Sequence, residues 1–202
     1  MSETKQELVE GFRRDTILKA ARHVVAQRGF AGVSMQAIAD AAGVAKGTLY
    51  LYFDDRTDLL EQATGRVFEE LLAHLQAELP PGRPLREALR ALVRTIFGFF
   101  DAHREFLRVY VEMRGPEGAA CQRRQRRPQY ARYVEHLQGF LAEAARRGEM
   151  KAFEPARVAL FLAEGMSAIV KQRLGERGRK TSEDVEWIVE LLLDGMCKEK
   201  GR

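Results

Sequence analysis

An all-α fold follows from three observations on this 202-residue chain. Apolar residues recur at helical spacing from end to end, alternating β-branched runs are missing, and glycine and proline clusters separate the periodic stretches. A hydrophobic content of 46% is enough for a packed core, in one large domain or two small ones. No apolar run approaches the length of a membrane span, and the polar stretch Met1 to Glu10 lacks the core of a signal peptide, so the expected location is cytoplasmic. Cys121 and Cys197 lie far apart without CxxC spacing, which suggests neither a zinc site nor a disulfide framework. Cys121 precedes the basic run Arg123-Arg124-Gln125-Arg126-Arg127, and a redox role for it is a minor alternative to a plain thiol.

Residues 1 to about 10 read as a frayed arm, with Arg13 and Arg14 just beyond it in reach of a phosphate. The first helix then carries Ile17, Ala20, Ala21, Val24 and Val25 on one stripe and ends at Gly29, with Phe30 closing the core. Ser34 is a good N-cap for a second helix, and Val33 with Ile38 has the spacing of a hydrophobic staple. Small residues at Ala37, Ala39, Ala41 and Ala42 allow close helix approach. Gly43 marks a reversal that favours a residue tolerating positive φ. In the stretch from Gly43 to Phe53, Val44, Leu49 and Phe53 can face inward, which leaves Lys46, Gly47, Thr48, Tyr50 and Tyr52 outside. That outer face suits DNA: lysine supplies charge, glycine admits close backbone approach, threonine offers a hydroxyl and a methyl, and tyrosine hydroxyls reach phosphate oxygens. Asp55 caps the next helix with Asp58 in capping-box spacing, and Arg56 near its start can face a phosphate.

Several blocks fall in a fixed order here: Ile17-Leu18-Lys19-Ala20-Ala21, Arg28-Gly29-Phe30, Val33 to Ala39, Gly43 to Phe53, and Arg56-Thr57-Asp58-Leu59-Leu60. From about Arg13 to Leu60 this order resembles the N-terminal domain of the tetracycline-repressor (TetR) family of bacterial transcription regulators. The resemblance implies a three-helix helix-turn-helix domain at 1–54, followed by a helical regulatory and dimerisation domain at 55–202. It also implies a double-stranded DNA operator, palindromic and bound by a homodimer, with release by a small-molecule inducer. By the same resemblance the start of the second helix meets the DNA backbone, a role that falls on Ser34 and Gln36. Gln36 can alternatively pair with adenine, since the chain has no asparagine to do so. One position departs from the family: Ala45 stands where Ser or Thr usually caps the reading helix, and such a loss typically costs about 1 kcal/mol.

The helix from Asp55 should run to about Leu79 as a connector (55–79), ended by Pro80-Pro81-Gly82-Arg83-Pro84. Further helices are expected at 85–102, 104–114, 119–147, 155–175 and 182–198, with Pro128 kinking or splitting the third of these. Between residues 96 and 140 the chain is rich in aromatics. A ligand cavity of the kind the resemblance implies would draw on Phe97, Phe100, Phe106, Tyr110, Tyr133 and Phe140. Its polar anchor is open: Glu112 or Glu135 for a cation, Arg94 or Arg108 for a carboxylate. The last two predicted helices each carry two apolar stripes where one core needs one, and the surplus points to a symmetric four-helix dimer contact through Val189, Leu193, Met196, Met166 and Val170.

The net charge of +4 is unevenly placed: residues 1 to 53 hold seven basic and five acidic groups, +2, whereas residues 121 to 180 hold fourteen and six, +8. The basic residues of the later segment are scattered over helix surfaces without interleaved stacking aromatics, the pattern of a solvated face. His23, His74, His103 and His136 show no metal-ligand spacing, and Gly165-Met166-Ser167-Ala168-Ile169 lacks the second glycine of a nucleophile elbow. No catalytic residue, metal or cofactor is therefore expected. A ligand-independent DNA-binding or architectural protein is the alternative reading, and an enzyme the remote one.

Overall fold

The computed structural model describes residues 5–29, 32–108, 128–176 and 184–196. Among these there are helices and no strand. In chain order they are α1 (Lys5–Arg28), α2 (Met35–Ala42), α3 (Lys46–Leu49), α4 (Arg56–Glu78), α5 (Leu85–Ala102), α6 (Pro128–Arg146), α7 (Pro155–Gly175) and α8 (Val185–Met196), with a further helical turn at 104–108. Phe30, Tyr110, Glu112, Cys121, Cys197 and the basic run 123–127 lie outside the described residues, as does the side chain of Met196.

Two compact units result, Met1–Val67 with Glu105–Pro116 and Phe68–Arg104 with Glu117–Arg202. The division falls inside α4 rather than before it. The reason is packing: Leu59, Leu60, Ala63 and Val67 on the first half of α4 are all buried, so they complete the first unit's core instead of merely following it. That core is otherwise built from Ile17, Leu18, Ala21, Val24 and Val25 on α1, Ile38 and Ala39 on α2, and Leu49 and Phe53 around α3. Polar ties at its edge join α1 to α4. Arg66 pairs with Asp15 at 2.5 Å, and Arg14 donates through Nε to the Gln62 side-chain oxygen at 3.1 Å. The arm expected at residues 1 to 10 is instead the first turns of α1 from Lys5 onward, whose Leu8, Val9 and Phe12 stand exposed. Good helix formers suffice there without a core contact.

In the second unit α6 packs on α7 and α5 on α8. The start of α5 shows how the proline break is fixed. Pro84 offers no side-chain cap, so the Leu85 N–H donates to Glu149 Oε2 at 2.6 Å, a carboxylate delivered by the loop after α6. Arg147 links the same groups: its Nε donates to Glu149 Oε1 at 2.6 Å, its Nη1 to Glu143 at 2.7 Å, and its Nη2 to the Arg83 carbonyl at 2.9 Å. Arg147 and the α5 N-terminus hold the Glu149 carboxyl below its ordinary value. The end of α7 is tied to the start of α8 by a buried fork, Arg173 to Asp184 at 2.6 and 2.8 Å, with the Trp187 indole N–H donating to Asp184 at 3.0 Å.

This packing corrects the expected dimer residues. Val189, Leu193, Met166 and Val170 are buried inside the protomer, and a side chain spent on its own core cannot also meet a second chain. The exposed apolar residues of the two helices are Leu160 and Phe161 on α7, and Trp187 and Leu191 on α8; Phe161 keeps 70% of its surface and Leu191 62%. Periodicity shows that a helix has two stripes without showing which one the protomer claims.

Candidate nucleic-acid interface and ligand cleft

The reading element is assembled from local signals. The Ser34 hydroxyl accepts the Ala37 N–H at 3.1 Å, a standard N-cap, and the staple pair Val33 and Ile38 is buried. Gly43 sits at φ 68°, in the left-handed region, and Val44 N–H closes the turn on the Ala39 carbonyl at 3.0 Å. The chain then enters α3, four residues long, and continues through a turn in which the Phe53 N–H reaches the Leu49 carbonyl at 3.0 Å. Leu49 and Phe53 are buried and anchor this segment from within. Ala45, at the N-cap, makes no side-chain bond, as its methyl dictates.

The expected DNA-facing residues divide by what already holds them. Lys46 and Gly47 are exposed, Tyr50 keeps 52% of its surface, and Thr48 and Tyr52 are half-buried. Gly47 has no positive φ, and a Cβ built on it meets nothing within 4 Å, so the protomer's own packing does not require glycine there. Ser34 is exposed but committed to its cap, and the Gln36 amide is engaged by Asp40 at 2.7 Å. Arg56 is half-buried, with Nη1 donating to the Val33 carbonyl at 3.0 Å, so it ties α4 to the segment ahead of α2. Asp55 caps α4 through the Asp58 N–H at 2.8 Å, and Asp58 reaches back to the Asp54 N–H at 3.1 Å. One residue escaped the sequence reading: Leu51, with 80% of its surface exposed between the two tyrosines. The sequence reading assigns it to neither face, and its register against buried Leu49 and Phe53 places it outside.

The second unit holds a cleft with about 420 Å³ of empty space, part of it open to solvent. Phe68, Leu71 and Leu72 from α4, Ile96 and Phe100 from α5, Gln129, Tyr130 and Tyr133 from α6, and Ala163, Met166 and Ser167 from α7 form its wall. Phe68 meets Phe100 edge-on with ring centres 6.4 Å apart, and Tyr130 meets Tyr133 at the same distance. The Tyr130 hydroxyl donates to the Glu164 carboxylate. Of the expected lining residues, Phe100 and Tyr133 are in the wall. Phe97 and Phe140 are instead buried core residues, Phe106 is buried in the first unit, and Tyr110 lies outside the described residues. Of the expected anchors, Glu112 lies outside the described residues and none of the other three lines the cleft. Arg94 pairs with Glu186, Arg108 with Glu105, and Glu135 is exposed. The missed residues are Ile96, Gln129 and Tyr130 within the aromatic-rich window, and those of α4 and α7 beyond it. A cleft has no periodicity on any single helix, so no local signal marks its walls.

No described helix is long and apolar enough to cross a membrane. Residues 17–63 match the family model of tetR-family bacterial regulatory proteins, and residues 84–194 that of the tetracyclin repressor-like C-terminal domain. An uncharacterised HTH-type transcriptional regulator of Haemophilus influenzae is 34% identical over 101 residues, covering 50% of this chain and 51% of that protein. The HTH-type transcriptional repressor KstR2 of Rhodococcus jostii is 30% identical over 98 residues, 48% of each. The chain thus spans about half the length of these curated relatives. In fold it is similar to the transcriptional regulator FadR of Bacillus subtilis in complex with stearoyl-CoA, with a TM-score of 0.72 at 23% identity over 90% of this chain and 98% of that one. The relatives named are transcription regulators, not enzymes. Helix-turn-helix, cleft-bearing helical unit and both family models together make this chain a member of the TetR family of bacterial regulatory proteins.

Proposed function

We propose that the protein is a repressor that binds a palindromic operator as a homodimer and leaves it when a small apolar or aromatic molecule occupies the second unit. One observation carries this reading: a single helix serves both tasks. At its start α4 supplies Arg56, bonded to the Val33 carbonyl ahead of the reading element, and farther along it supplies Phe68, Leu71 and Leu72 to the wall of the cleft. The apolar wall with a few polar groups suits a small-molecule site. The repressor KstR2 among its relatives and the acyl-CoA held by the similarly folded FadR support the same assignment. Lys46, Gly47, Thr48, Tyr50 and Tyr52 contact DNA, joined by Ser34 and Gln36 from α2; Arg56 holds the element in place. DNA as a partner puts the working protein in the cytoplasm.

Exposed Leu160, Phe161, Trp187 and Leu191 support α7 and α8 as the dimer surface. Two reading heads are needed to span half-sites one helical turn apart, about 34–36 Å. The test is a two-way titration on an operator selected from random duplexes, with a compound found to bind in the cleft. An inducer weakens operator binding, and operator weakens inducer binding by the same factor. A compound that fills the cleft without changing operator affinity removes the cleft from the switch, and a monomer in sedimentation at micromolar concentration removes the dimer.

A further inference from the structure

Leu51 has the highest fractional exposure among the large apolar side chains of the described residues. It does nothing for the fold. Its neighbours Leu49 and Phe53 take the core positions, and the N–H of Leu51 bonds the Thr48 carbonyl at 3.3 Å, which places it one turn beyond Thr48 along the segment. Exposed Tyr50 and half-buried Tyr52 flank it, and Gly47, four residues earlier, adds no side chain beside it. Leu51 is therefore the one aliphatic side chain that the segment 46–53 leaves largely exposed.

DNA offers such a group one specific apolar counterpart. The C5-methyl of thymine projects into the major groove, whereas phosphate and sugar contacts carry no direct sequence information. Lysine and tyrosine contacts to phosphate set register without choosing a base. We propose that Leu51 is a specificity-determining residue that packs against a thymine methyl in each half-site, so that the protein prefers T·A at that step. This rests on the reading of α2 and α3 as the DNA interface.

The experiment starts from the full chain and a random duplex library. Each thymine of the selected consensus is then replaced singly by deoxyuridine, which removes only the methyl, and binding is measured for wild type, Leu51→Ala and Leu51→Gln. At one thymine per half-site the wild type is expected to lose about fourfold in affinity, the worth of one buried methyl. Both variants should still bind the consensus yet treat thymine and deoxyuridine alike at that position. A wild type indifferent to every deoxyuridine, or variants as sensitive as the wild type, overturns the role of Leu51. Failure to select any consensus overturns the DNA-interface reading instead, and with it this proposal.

Discussion

The reading segment around α3 and the cleft of the second unit use similar residues in opposite ways. In the first, Tyr50 and Leu51 face solvent and only Leu49 and Phe53 are hidden; in the second, Phe68, Phe100, Tyr130 and Tyr133 line one cleft from three helices. The difference fits the partner proposed for each. A polyanion is met by groups that stand clear of the protein, whereas an apolar ligand is met by groups withdrawn from water. Substitutions should therefore separate. Changes on the outer segment should alter binding with little effect on stability, and changes in the cleft should alter stability first.

The largest effect is expected inside. Phe100→Ala removes a buried ring that also lines the cleft, and such truncations typically cost about 3–5 kcal/mol. Urea denaturation should show that loss, while the fraction that remains folded binds operator with wild-type affinity. A variant as stable as the wild type would break the comparison. On the outer segment, Lys46→Ala and Tyr50→Ala should each weaken operator binding by about tenfold. Their unfolding should stay within about 0.5 kcal/mol of wild type. Lys46→Ala should also lower the salt slope by about one if the lysine holds a phosphate. Equal weakening at every salt concentration would assign it to a base.

The smallest effect tests neither surface but the join between the start of α5 and the loop after α6. Glu149 is held below its ordinary value by the Arg147 hydrogen bond and by the Leu85 N–H. A carboxyl depressed in the folded state stabilises above its unfolded value and loses that contribution as pH falls through the folded value. Glu149→Gln should therefore lower Tm by about 1–3 °C at pH 7, and the gap should close below the ordinary value of 4.5. A gap that persists into acid would mean that the amide fails to cap α5 for steric reasons rather than for want of charge.

What the sequence disclosed depended on the range of the signal. Ser34, Gly43, the pair Val33 and Ile38, and the cap at Asp55 act on atoms within a few residues, and each was legible as a local pattern. The start of α1 was missed because an apolar stripe was taken as the mark of a helix, whereas Leu8, Val9 and Phe12 are helical without burial. Leu51 was assigned to neither face, and its exposure follows only from the burial of Leu49 and Phe53 beside it. The cleft was only half legible: Phe100 and Tyr133 lay in an aromatic window, but Phe68 and Met166 reach it from helices distant in sequence. Met166 and Val189 show the limit most plainly, since a helix read alone does not reveal which of its neighbours will claim a stripe.

Ala45 leaves a different mark on how this protein chooses DNA. A helix of four residues with no side-chain cap is costly to nucleate; Leu49 and Phe53 anchor its far end, and at its near end the Thr48 N–H bonds the Ala45 carbonyl at 2.9 Å. The amides of Lys46 and Gly47 thus depend on water, or on the DNA itself, for their order. On the DNA-interface reading proposed above, part of the operator's binding free energy would go into ordering this turn, an entropy cost that a correct sequence offsets through its full set of contacts. A wrong sequence makes fewer contacts and leaves the turn incompletely formed. On that reading the missing hydroxyl would trade tightness on every duplex for a wider gap between the right one and the rest.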